Sequence, residues 1–137
     1  MGTFSSFDIS ASGIYAQRVR MDAVANNIAN AETTRTPEGG PYKRQHVTFR
    51  AAYEDALGNQ VNGGVRVDQL TSNGATRTVN MPGHPDADAN GNVQMPDINI
   101  VEEMVDMISA TRAYEANVTA LNATKSMMNE AIGIGKA

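Results

Sequence analysis

The chain has 137 residues, the size of one ordinary domain, and its formal net charge is -4, whereas binding nucleic acid as a main partner calls for a basic field. It contains no Cys, which excludes a disulfide framework, a thiol nucleophile and Cys-ligated zinc. Two His, His46 and His84, cannot close a zinc site by themselves.

The N-terminal segment, 1–36, reads as a long helix. Ser5 followed by Asp8 resembles a capping box. Phe7, Ile14, Met21 and Ile28 then recur every seven residues, with Ala11 and Ala25 each three residues before a member of that row. Such a seam marks a helix that packs lengthwise on another helix. The pattern weakens at Asn26, Asn27 and Asn30, and Thr33-Thr34-Arg35-Thr36-Pro37 ends it. Met1-Gly2 with Ser6 fits a myristoylation pattern in outline only, and no secretory leader is visible.

The middle, 37–97, holds all five Pro and eight of the 12 Gly. These residues break or weaken helices, so short strands are expected. Val47, Phe49 and Ala51 alternate with polar residues, as do Val65 and Val67. Asn62-Gly63, Asn73-Gly74 and Asn90-Gly91 are hairpin-type turns. Tyr42-Lys43-Arg44 with Arg50 forms a small basic patch near Glu38, Glu54 and Asp55. His84, between Gly83 and Pro85, reads as part of a rigid turn, and His46 as a solvent-facing strand residue.

The C-terminal segment, 98–137, repeats the seam more strongly. Asn99 with Glu102 is a cap pair, and Glu103 and Asp106 suit the positive start of a helix. Ile100, Met107, Tyr114, Leu121 and Met128 form one row; Met104, Val118 and Ile132 belong to a second. Gly133 and Gly135 stop the helix. The fold class expected is therefore mainly α with a small β-rich insert, its two long terminal helices packed as a coiled-coil-like pair. No apolar run approaches the roughly 20 residues of a membrane span.

Hydrophobic residues are 41% of the chain, yet 19 of them are Ala and there is no Trp. Small side chains bury little area. The narrow stripes leave the isolated helix pair marginal, so the expectation is one structural unit completed by other subunits.

One loop carries candidate chemistry. Asp86, Asp88, Asn90, Gly91 and Asp97 follow the spacing of a calcium loop, with oxygen ligands at alternate positions, Gly at six and an acid at twelve. Against it, Met81-Pro-Gly-His-Pro85 cannot be an entering helix, Pro96 precedes the last ligand, and Asp97 is shorter than the usual Glu. The alternative reading is an Asx-rich turn leading into a strand. No phosphate loop, metal cluster or nucleophile elbow is present in the sequence, so no catalytic residue, no cofactor and no enzyme are expected. A calcium-binding helical module and a generic coiled-coil adaptor stand as alternatives to a structural subunit.

Val24-Ala-Asn-Asn-Ile-Ala-Asn-Ala-Glu-Thr33 resembles the signature at the end of the N-terminal helix of flagellar axial proteins, which include rod, hook and hook-associated proteins. Pro82-Gly-His-Pro-Asp-Ala-Asp-Ala-Asn-Gly91 and Ile98-Asn-Ile-Val-Glu-Glu-Met-Val-Asp-Met107, continuing through Ala110-Thr-Arg-Ala-Tyr-Glu-Ala-Asn-Val118, narrow the resemblance to proximal-rod proteins of the bacterial flagellar basal body. It covers essentially the whole chain. One departure is Asn92, where an aromatic residue is expected.

The resemblance implies a structural subunit that stacks helically with itself and other rod proteins into a hollow drive shaft. That shaft carries torque from the inner-membrane ring to the hook across the periplasm. The implied partners are the membrane-ring junction protein and the flagellar type III export apparatus, without a cleaved signal peptide, nucleic acid or direct membrane insertion. On this reading Phe7, Ile14, Met21 and Ile28 pack on Met107, Tyr114, Leu121 and Met128. Asn26, Asn27, Asn30, Arg112 and Asn117 are then expected to make hydrogen bonds between subunits.

Overall fold

A computed structural model describes residues 3–52 and 63–135. Readings that fall on Met1-Gly2, Glu54, Asp55 and Asn62 lie outside the described residues. Two helices, α1 (Thr3–Ala29) and α2 (Ile100–Ile134), flank four strands: β1 (Gln45–Ala51), β2 (Val65–Ser72), β3 (Thr76–Asn80) and β4 (Asn92–Pro96). The strands form two separate antiparallel hairpins, β1–β2 and β3–β4. The expected architecture, two terminal helices packed together around a β-rich middle, is the one observed.

The 35 residues of α2 make a rod of roughly 52 Å at 1.5 Å per residue. Its start is capped as expected: the Asn99 side chain accepts a hydrogen bond from the Val101 N–H, and Glu102 and Glu103 occupy the positive first turn. The helix runs through Gly133 and ends at Gly135. α1 begins before its expected cap, so Ser5 lies inside the helix rather than at its boundary. It ends at Ala29, where Asn30 turns back through its N–H and its Nδ2 to the Asn26 carbonyl.

The helices run antiparallel. Asn27 meets Glu103, Arg20 meets Asp106, Met21 meets Thr111 and Gly13 meets Asn117. The seam differs from the expected one. The row beside Met107, Tyr114, Leu121 and Met128 is Glu103, Ala110, Asn117 and Thr124, not the row of Met104 and Val118. Glu103, Ala110 and Thr124 are buried, whereas Met104 and Ile132 are exposed. On α1 the buried apolar residues are Ala16, Ala23 and Val24, while Ile14, Met21 and Ile28 are only half-buried and Phe7 is 37% exposed. The physical reason is close approach. A Cβ on Gly13 would sit 2.9 Å from Asn117 Oδ1, so the centre of the seam accommodates small residues and the bulky ones line its margins.

Hairpin β1–β2 lies along α1. Val47 pairs with Leu70, Phe49 with Val67 and Ala51 with Val65, and the register slips at Thr48/Phe49, leaving Asp68 as an extra residue that pairs with Arg50 at 3.0 Å. Ser12 Oγ accepts from the Val65 N–H, and Gly64 (φ +111°) lies so close to that hydroxyl that only glycine fits. Hairpin β3–β4 contacts neither helix among the described residues, and Val93, Met95, Pro96 and the following Ile98 are buried. Asn73-Gly74 closes no hairpin: it joins β2 to β3, and a side chain at 74 would run into the Arg44 backbone.

Candidate functional site

The most constrained point is where α1, α2 and β1 converge. Asn27 and Glu103 are each 1% exposed. The Asn27 amide donates to the Gln45 carbonyl (2.9 Å) and to Glu103 Oε2 (3.0 Å), while its oxygen accepts from the Gln45 N–H (2.8 Å) and the Tyr42 hydroxyl (3.1 Å). Both donors and both acceptor positions are used, so Asn27 pairs with the edge of β1 as another strand would. Arg44 holds Glu103 Oε1 through Nε and through its terminal nitrogen, each at 2.6 Å, and reaches Asp106 at 4.0 Å. Arg20 binds Asp106 from α1 at 3.0 Å. This cluster replaces the solvent that a buried carboxylate would otherwise require. Burial raises the Tyr42 hydroxyl above its ordinary 10.0, and the negative charge of Glu103 adds to that shift.

The outward side of the same helix is different in kind. Val101, Met104, Val105 and Ile108 follow one another at helical spacing and are 68%, 53%, 61% and 59% exposed. Arg112 and Glu115 continue the line, also exposed. On α1, Tyr15, Arg18, Asp22, Ala25 and Ala29 form an exposed row of the same length. A monomer rarely leaves a contiguous apolar row of this sort in water, and such rows mark contact surfaces.

Residues 7–35 match the family model described as flagella basal body rod protein. Residues 89–134 match the one described as flagellar basal body rod FlgEFG protein C-terminal. A flagellar basal-body rod protein FlgC of Borreliella burgdorferi is 44% identical, over 98% of this chain and 98% of that protein. FlgC of Bacillus subtilis is 43% identical, and FlgC of Salmonella typhimurium 41%, each over 99% of this chain and all of its own length. The chain belongs to the FlgC family of flagellar basal-body rod proteins. What needs explaining in a FlgC-family chain is therefore its joints and surfaces.

Two of the three Asn residues in the signature at the end of α1, Asn27 and Asn30, bond within the chain, where bonds between subunits are expected. Asn27 is wholly committed inside the chain. Asn30 is tied to Asn26 and Thr33 at the helix end. Asn117 sits in the helix seam against Gly13, donating to the Ala113 carbonyl. Asn26 and Arg112 remain on open faces. Sequence reasoning missed Arg44 and Glu103 as a pair, because their partnership spans 59 residues.

The calcium-loop reading finds no support, and the Asx-turn alternative describes the loop. Asp86 is taken by Arg35 and by the Thr34 hydroxyl, 2.8 Å away. Asp88 Oδ1 accepts from the N–H groups of Asn90 and Asn92, both at 2.8 Å, which is an Asx turn. The Asn92 N–H chiefly holds this carboxyl below its ordinary 3.8, with the Asn90 N–H adding and desolvation opposing. Among the described residues no group of three or more His, Cys, Asp or Glu could hold a metal, Asp86, Asp88 and Asp97 included. His84 Nδ1 accepts from the Asp86 N–H within the same turn. Among the described residues no helix is long and apolar enough to cross a membrane.

Proposed function

We propose that this chain is a structural subunit of the flagellar basal-body rod that assembles with copies of itself and with other rod subunits into a hollow, torque-bearing shaft. The observation that supports this reading most is the helix pair: its interior is closed by Asn27, Glu103 and Arg44, while the outer face of α2 carries an exposed apolar row and that of α1 an exposed mixed one. A shaft needs subunits that are stiff inside and adhesive outside. Asn26 and Arg112, on those outer faces, are the inter-subunit hydrogen-bonding residues of this reading. The finer placement is the proximal rod, spanning the periplasm. The membrane-ring junction protein stands at its base, and delivery is by the flagellar type III export apparatus without a cleaved signal.

The test is deletion of residues 1–30 in the source organism. Basal bodies should then retain their rings but lack a rod, and swimming should cease. Cells that swim normally with the truncated chain would refute the reading.

A further inference from the structure

Two exposed rows lie on opposite outer sides of the helix pair, and their chemistry matches. On α2 the order from the N-terminus is an apolar stretch, Val101 to Ile108, then Arg112, then Glu115. On α1, read backwards, it is Ala29, Ala25, then Asp22, then Arg18, then Tyr15. Among the described residues Arg112, Glu115, Asp22 and Arg18 make no ion pair within the chain.

We propose that the outer face of α2 receives the outer face of α1 from a second copy of this chain, antiparallel, with Arg112 on Asp22 and Glu115 on Arg18. In that register Val105 lies over Ala29 and Ile108 over Ala25. The bulky apolar side chains thus meet the small residues that allow close approach. The register nearly repeats the one inside the subunit, where Gly13 faces Asn117 and Asn27 faces Glu103.

The other arrangements satisfy less. A parallel docking places the apolar stretch on Arg18 and Asp22. Two α2 helices packed antiparallel on each other pair Arg112 with Glu115 but leave Val101 over Ser126 and Val105 over Asn122. The α2-to-α1 contact uses different surfaces on the two copies, so it is head-to-tail and propagates along a ring or helix instead of closing as a dimer. One helix-on-helix contact also falls short of the roughly 800 Å² per partner of a stable free pair. It holds only when repeated.

The proposal rests on the rod reading and is tested in basal bodies from the source organism. The chain has no Cys, so Val105→Cys with Ala29→Cys gives a clean probe. Oxidised basal bodies carrying the double variant should show a ladder of this chain, and either single variant should show none. Dimers from Val105→Cys alone, or incorporation of the double variant without a ladder, overturn the proposal and leave the rod reading standing. Absence of the unmodified chain from basal bodies overturns both.

Charge exchange provides an independent arm. Arg112→Glu should lower the number of rods about tenfold or more, as like charges facing across an interface demand. Adding Asp22→Arg should restore them. Unchanged helicity of the purified Arg112→Glu chain excludes misfolding as the cause, and failure of Asp22→Arg to restore rods overturns the proposal.

Discussion

Glu103 and Met104 are neighbours on α2 and invert the usual rule: the carboxylate is buried and the thioether faces water. The inward region spends its chemistry within one chain, with every polar atom of Asn27 paired and Glu103 held by Arg44. The outward region keeps Val101, Met104, Val105 and Ile108 uncovered. The difference separates two tasks. Fully paired polar contacts join the helices to the hairpin. Apolar contacts of low specificity wait for a neighbour. In the subunit as a whole, burial is a poor guide to where assembly happens.

That contrast can be broken from the inside first. Arg44→Met should destabilise the subunit most, by about 3 kcal/mol, because it leaves the Glu103 carboxylate buried without its cation. Thermal unfolding followed by circular dichroism should show the lowered midpoint. Asn27→Ala should cost about 2 kcal/mol, since two backbone groups of Gln45 lose their partner. The same measurement applies, and a cost near zero would show that β1 docks without the amide.

A smaller effect comes from the loop. Asp88 has a folded-state acidity stronger than its unfolded 3.8, so its contribution is present above that value and is lost as pH falls through the lower folded value. Asp88→Asn should flatten this acid limb in a pH series of unfolding midpoints. The smallest effect on stability should come from Val105→Ser on the outer stripe, within about 0.5 kcal/mol. The same variant should nonetheless reduce rod assembly, counted by electron microscopy of basal bodies. A large stability loss from Val105→Ser, or full assembly, would erase the distinction between the two faces.

Much of the architecture was legible in advance. Seven-residue spacing, the confinement of Pro to 37–97 and the concentration of Gly there placed both helices and the β-rich middle, and Asn99 marked the start of α2. The face that packs inward was less legible. Periodicity finds rows of large apolar residues, but the seam centre is made of Gly13, Ala16, Ala23, Ala110 and Asn117, small or polar residues that hydropathy patterns pass over. Glu103 reads as a first-turn acid until Arg44 is placed against it. The calcium spacing was legible and misleading. Arg35 and Thr34, some 50 residues upstream, claim the first carboxylate, and no local pattern announces that.

The bond between Asn27 and Glu103 joins residues 76 apart in the chain, and Arg44 joins Glu103 across 59. Contacts that span such long loops form late, because the ends must be brought together before any bond compensates the lost freedom. A chain that emerges gradually, from either end, therefore cannot close its central joint until both Asn27 and Glu103 are out. Until α2 has followed, α1 lacks the partner of its small-residue seam. The rigidity of the subunit is thus gained late, when segments distant in sequence come together.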